Sequence, residues 1–264
     1  EESVAIDDLF IAGLLPGILM LAMLIAWSMY KSVGDRIPTT EFDAGKLASA
    51  LRESVWEIPL PIIMIAGIYT GYVAVSEAAA VAVLYVLIVD VVILREIKIK
   101  QLPSIMRESM VLVGGVLIIL GVSLASTNYM IDAEIPTKLF EFIREHIDSK
   151  LTFLMLLNIF LLLLGMMLDV FSALVIIVPL TLPIAVGYGI HPVHFGIIFL
   201  ANMQIGYFTP PVGMNLFIAS YRFKKPVTEL YYATIPFMLI LFIAVLIITY
   251  WPALTMTLLD LRAE

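Results

Sequence analysis

The sequence predicts an all-α membrane protein, a polytopic helix bundle, and three observations carry that prediction. Hydrophobic residues make up 62% of the 264 and charged residues only 14%, against about a quarter charged in a soluble domain. The mean hydropathy is +1.05. Several apolar runs reach the roughly 20 residues that a helix needs to cross a bilayer, and the basic residues gather in the loops between them. A charged shell for a soluble globule cannot be built from 15 Lys+Arg and 22 Asp+Glu. The net charge of −7 also excludes a nucleic-acid partner, because a phosphate-binding face must be basic. With no cysteine there is no disulfide, thiol nucleophile or Cys-ligated metal to consider. The chain opens on Glu1-Glu2 without Met or a basic n-region, and reads as a piece of something longer.

Taken in order, the spans are Leu9–Tyr30, Ser76–Leu94, Ser109–Ile131 and Val227–Leu254. Ile58–Val75 is a shorter apolar stretch interrupted by Pro59, Pro61, Gly67 and Gly71. Leu151–Ser220 is a long apolar tract broken by Asp169, Pro179, Pro183, the His191–His194 turn and Thr209-Pro210-Pro211. Between the spans, Lys31–Glu57 and Asp132–Lys150 carry mixed charge with apolar residues at helical spacing, as in helices lying on a membrane surface. The chain thus divides into residues 1–57 (a scaffold helix and a surface helix) and 58–150 (membrane helices and an outer amphipathic helix). Residues 151–220 form a transport segment, and 221–264 a last membrane helix. Trp27, Trp56, Trp251, Tyr231 and Tyr232 suit the interfacial belt.

Orientation follows from the bases. Lys31, Arg36, Lys46 and Arg52 share one loop, Arg95, Lys98, Lys100 and Arg107 a second, and Arg222, Lys224 and Lys225 a third; all three are placed in the cytoplasm. The stretch 132–150, with five acids and three bases, and the acidic start fall outside. Between the second and third basic loops the crossings must be odd in number. Ser109–Ile131 and Phe195–Ser220 each cross once, so Leu151–Val186 crosses an even number of times. It is either two tight spans or a re-entrant hairpin entering and leaving on the outer side.

Two segments carry chemistry. In Thr209-Pro-Pro-Val-Gly-Met-Asn215, consecutive prolines remove backbone donors and force the preceding residue out of helical geometry. Carbonyls left unpaired in hydrocarbon cost several kcal/mol unless water, protein or an ion meets them. Secondary transporters use such discontinuous helices to hold cations and anions. Gly206 and Gly213 bracket the break, and Thr209 and Asn215 add side-chain oxygens. Pro210, Pro211, Gly213 and Asn215 therefore read as an ion or substrate pathway; the alternative is a plain kink. In Gly165-Met-Met-Leu-Asp-Val-Phe-Ser172, Asp169 in a hairpin tip is an ionisable group at membrane depth that suits a hard cation such as Na⁺; alternatively it caps the following helix. Ser172 is a weaker pathway candidate that packing or capping also explains. Glu77 reads as a helix cap, and Asn158, Asn202 and Gln204 as interhelical hydrogen-bonding residues. His191 and His194 lack companions for a metal site. No HExxH, Walker loop or Ser-His-Asp set is present, so an enzyme is not expected.

Gly206-Tyr-Phe-Thr-Pro-Pro-Val-Gly-Met-Asn-Leu-Phe-Ile-Ala-Ser220 closely resembles a signature of the large membrane subunit of TRAP (tripartite ATP-independent periplasmic) transporters. Gly67–Leu84, Gly165–Pro183 and His191–Gly196 agree. The resemblance runs along essentially the whole chain. It implies one inverted repeat of an elevator-type carrier of the bacterial inner membrane, with a re-entrant hairpin at Leu151–Val186 and a broken helix at Phe195–Ser220. It further implies Na⁺ as coupling ion, no other cofactor, and import of organic acids such as C4-dicarboxylates or sialic acid. The implied partners are a periplasmic binding protein, a small four-helix membrane subunit and membrane lipid. By the same resemblance Asp169, Thr209 and Met214 (through its carbonyl) help bind one Na⁺, with carbonyls around Gly165 and Gly206. The family's GSAVA-type hairpin and IPPS-type broken helix of the first repeat do not appear, so the chain reads as a C-terminal half that requires an N-terminal half as partner. The competing readings are a Na⁺/dicarboxylate symporter without a binding protein, an ion/H⁺ antiporter, and a non-transporting scaffold subunit.

Overall fold

A computed structural model of the chain describes residues 5–34, 43–71, 74–147, 149–168, 170–210 and 213–263. It is all helical among those residues, and it divides into two compact units, 35–115 and 1–34 with 116–264.

The smaller unit begins with α2 (Ala44–Glu53), whose first amides are held by the Asp43 carboxylate through Gly45 N at 2.8 Å and Lys46 N at 3.2 Å. The next helix, α3 (Pro59–Tyr69), carries its prolines in the first turn, where a missing N–H costs nothing. They open this helix rather than interrupt it. Thr70 and Gly71 end it: the Thr70 hydroxyl donates to Ala66 O at 2.6 Å, and Gly71 turns the chain at φ +72°. Glu77 does cap the following α4 (Val75–Leu87), accepting from Ala74 N at 3.1 Å. A π-helical turn over Ile88–Ile93 prolongs α4, and the Tyr85 hydroxyl donates to Trp56 O at 2.7 Å. The long α5 (Leu102–Asp132) begins about two turns before the expected span and runs from this unit into the other.

The larger unit holds α1 (Ile6–Gly34), α6 (Ile135–His146), α7 (Lys150–Met167), α8 (Val170–Gly187), α9 (Pro192–Gly206), α10 (Met214–Phe223), α11 (Val227–Tyr250) and α12 (Ala253–Ala263). Among the described residues four helices, α1, α7, α8 and α11, are long and apolar enough to cross a membrane. Their outward faces are apolar too: Ile18, Leu21 and Ile25 on α1 and Leu239 and Ile243 on α11 are exposed, which water would penalise and lipid does not. The expected last span, Val227–Leu254, is two elements. Pro252 lacks an N–H and Trp251 leaves helical geometry, so α11 ends at Tyr250 and α12 turns back onto α1. There Arg262 comes within 3.8 Å of Asp8.

The core lies around α9, eleven of whose fifteen residues are buried. One apolar cluster joins α7, α8 and α9 through Phe153, Leu157, Leu161, Ile177, Ile198 and Phe199. A second joins α1, α9 and α11 through Ala12, Ile197, Ile205, Leu241 and Ile248.

The start of α7 and the turn between α8 and α9 share one end of the unit. Lys150 Nζ donates to Gly189 O at 2.8 Å, and the Tyr188 hydroxyl to Ile147 O at 2.6 Å. Hence α7 and α9 run parallel, with α8 returning between them. The C-terminal end of α11 meets α7 where the Thr249 hydroxyl reaches Asn158 Oδ1 at 3.1 Å. From that level α7 continues nine residues, about 14 Å, to its end, whereas α11 extends back 22 residues, about 33 Å, to Val227. The tip of the α7–α8 hairpin is therefore level with the middle of α11. A tip at that level is what the hairpin reading expects, although α7 and α8 are each long and apolar enough to cross a membrane.

Candidate functional site

The hairpin tip and the helix break occupy the same place. Near the end of α7, Gly165 lies against Gly206, the last residue of α9. A methyl group at Gly206 would collide with Gly165 backbone, including its carbonyl oxygen at 2.7 Å. One at Gly165 would meet Gly206 Cα at 3.2 Å and Met203 Cα at 3.4 Å. Both glycines let the two backbones approach closely, and at Gly206 there is no room for any larger residue. Beside this crossing the Val170 N–H, at the start of α8, donates to the Tyr207 hydroxyl.

Beyond Gly206 the chain winds down in tight turns. Tyr207 N–H donates to Met203 O at 3.2 Å, Phe208 N–H to Ile205 O at 3.1 Å and Thr209 N–H to Gly206 O at 3.0 Å. Thr209 is 6% exposed, and its hydroxyl donates to Ile205 O at 2.7 Å. A hydroxyl that gives its proton away in this manner keeps its lone pairs as acceptors. Pro210 follows, half-buried. The chain resumes at Gly213, where φ is +40° and a Cβ would stand 2.9 Å from Thr209 O, so conformation and space both call for glycine. Met214 opens α10. Asn215 N–H donates back across the break to Tyr207 O at 3.0 Å. Ser172 sits in the first turn of α8, half-buried.

Of the sequence-assigned residues, then, Gly165, Gly206, Thr209, Pro210, Gly213, Met214 and Asn215 belong to one break-and-tip region, with Ser172 one turn along α8. Asp169, Pro211 and Val212 lie outside the described residues. Among the described residues no group of three or more His, Asp or Glu comes together to hold a metal ion. The donors the break offers are main-chain carbonyls and the Thr209 hydroxyl, hard oxygen ligands of the kind alkali and alkaline-earth cations take.

Sequence reasoning expected hydrogen bonding from Asn158 and Asn202 but did not find their third partner, Thr249. Asn158 Oδ1 accepts from Asn202 Nδ2 at 2.7 Å and from the Thr249 hydroxyl at 3.1 Å. Each amide also donates to its own helix, to Leu154 O and Ile198 O, both at 2.9 Å. This cluster pins α7, α9 and α11 together one turn before Gly206. Asn202 Oδ1, on a residue with no exposed surface, lacks a hydrogen-bond partner among the described residues. The histidine turn divides: His191 caps α9 through Val193 N at 3.2 Å, while buried His194 bonds the Thr255 hydroxyl at 2.8 Å and approaches Thr249 O at 3.3 Å. Both serve the fold. Thr255, which opens α12, is the residue a sequence scan had no means to pair with His194.

Residues 2–254 match the family described as "Tripartite ATP-independent periplasmic transporter, DctM component". The chain belongs to this family. The DctM-type chain is 32% identical, over 96% of its length, to the C4-dicarboxylate TRAP transporter large permease protein DctM of Pseudomonas aeruginosa, and covers 60% of that protein. To the protein of the same name from Rhodobacter capsulatus it is 33% identical, covering 97% of this chain and 59% of the relative. It is 30% identical to the sialic acid TRAP transporter permease protein SiaT of Haemophilus influenzae, with 96% and 41% covered. The DctM-type chain thus spans about half the length of these relatives. The family match and the apolar helices among the described residues are those of a multi-pass protein of the bacterial inner membrane.

Proposed function

We propose that this chain forms the ion-coupling part of a Na⁺-driven symporter that imports an organic acid delivered by a periplasmic binding protein. The observation that carries the reading is the meeting of hairpin tip and helix break beside the middle of α11. A backbone break at that depth is tolerated only where protein, water or an ion satisfies its polar groups. In this reading Na⁺ is held at the break by the Thr209 hydroxyl and by carbonyls of Gly165, Gly206 and Met214. Asp169 supplies the compensating negative charge. Pro210, Pro211, Gly213, Asn215 and Ser172 border the pathway of the organic acid. The names of the relatives support an organic-acid substrate, a C4-dicarboxylate or a sialic acid. The relative named as a DctMQ permease of Oleidesulfovibrio alaskensis supports a further membrane component as partner. The remaining part of the large subunit supplies the second repeat of an elevator-type carrier. At a potential of −100 mV each Na⁺ carried inward contributes about 2.3 kcal/mol and each negative charge on the acid costs as much, so the potential drives accumulation when the Na⁺ carried outnumber the acid's charges.

The test is uptake of radiolabelled C4-dicarboxylates and sialic acid by proteoliposomes holding the complete permease, with binding protein outside and an inward Na⁺ gradient. Uptake that requires both Na⁺ and binding protein, and that falls at least tenfold in Thr209→Ala and Asp169→Asn, is the expected outcome. Uptake independent of Na⁺, or unaffected by both substitutions, would remove the proposal.

A further inference from the structure

Tyr207, at the start of the break, is bonded to three helices at once. Its main chain closes α9, donating to Met203 O at 3.2 Å, and accepts from Asn215 N–H, at the start of α10, at 3.0 Å. Its side chain reaches the start of α8, where the hydroxyl accepts the Val170 N–H. The first amides of a helix have no partner within the helix, so this hydroxyl supplies one to α8 from a different element. It does so next to the Gly165–Gly206 crossing, where the two backbones leave no room for a methyl group. The crossing sets the distance of α7 from α9, and the Tyr207 hydroxyl fixes α8; together they define both arms of the hairpin relative to the break.

We infer that Tyr207 is a positioning residue: its hydroxyl holds the hairpin tip against the broken helix and so sets the oxygen geometry that binds the coupling ion. The inference rests on the ion-coupling reading above. Tyr207 touches neither ion nor substrate in this account; it acts through the register of α8 against Gly206 and Thr209. A phenylalanine at this position keeps the ring and its packing and removes the hydroxyl that accepts the Val170 N–H. The loss of one such part-buried hydrogen bond shifts an equilibrium by about two- to tenfold.

Two measurements on the complete permease test it. The first is the Na⁺ dependence of uptake in proteoliposomes for Tyr207→Phe beside wild type. The expected result is a half-saturating Na⁺ concentration raised by about two- to tenfold, with the KM for the substrate-loaded binding protein unchanged. The second is the distance between spin labels on cysteines introduced at the exposed positions Met167, at the tip, and Ile218, on α10; the natural chain has no cysteine to interfere. Tyr207→Phe is expected to broaden or lengthen that distribution. An unchanged distribution overturns the positioning role whatever uptake does. An unchanged Na⁺ curve beside a displaced tip overturns the link from tip to ion. Wild-type uptake that ignores Na⁺ sinks the ion-coupling reading and the link to the ion with it, while the label distances still decide whether Tyr207 holds the tip.

Discussion

At the scale of single residues, two glycines make opposite demands on the helices that contain them. Replacing an interior helical glycine by alanine ordinarily stabilises the helix by about 1 kcal/mol. At Gly206 the added methyl meets Gly165 backbone, and overpacking of that kind costs about 1–3 kcal/mol, so the clash wins. At Gly165 the nearest neighbours stand at 3.2–3.5 Å and the two effects nearly cancel. Gly206→Ala is therefore expected to abolish transport and lower the thermal midpoint of the purified permease, with Gly165→Ala much milder in both. Equal effects, or the reverse order, would show that the crossing is looser than described. The importance of Gly206 and Gly213 was legible in the sequence because they flank Thr209-Pro-Pro. The roles of Tyr207 and Thr249 were not: a tyrosine among apolar neighbours and a threonine near a helix end carry no local signal, and their partners lie 37 and 91 positions away.

Among the elements, the Asn158–Asn202–Thr249 cluster decides how α7, α9 and α11 pack. Interhelical hydrogen bonds in membranes average about 0.6 kcal/mol and reach about 1.7. A double-mutant cycle between Asn158→Leu and Thr249→Val, read by thermal unfolding in detergent, is expected to give a coupling energy in that range. Additivity would mean that the two side chains do not share a bond. Asn158→Leu alone is expected to cost more than Thr249→Val, because it strands the Asn202 amide as well as the Thr249 hydroxyl. Helix existence was readable from apolar runs, and an even number of crossings for Leu151–Val186 from a parity argument resting on basic loops. What the sequence left open, two spans or a hairpin, turns on where the tip lies along α11, and the contact between Thr249 and Asn158 gives that level. The short α12 was missed because apolar composition continues through Leu254, hiding the stop at Pro252.

For the whole molecule, the larger unit presents apolar faces outward and keeps its polar contacts for one interior line. That line runs from the His194–Thr255 bond through the asparagine cluster to the tip and break. In the proposed reading the cation is held at the tip-and-break end of that line, and Arg262, near the end of α12, takes no part in holding it. Arg262→Ala, which removes the 3.8 Å approach to Asp8 between half-exposed side chains, is expected to change stability by less than about 1 kcal/mol and leave Na⁺ dependence intact, as uptake assays would register. The central claim is that the break itself holds the coupling ion. Its most direct test is equilibrium binding of ²²Na⁺ to the purified complete permease, wild type against Thr209→Ala and the conservative Thr209→Ser. Saturable binding that weakens at least tenfold in Thr209→Ala and is largely restored by Thr209→Ser, which keeps the hydroxyl, is the result this account predicts. Equal Na⁺ affinity in all three proteins would contradict it.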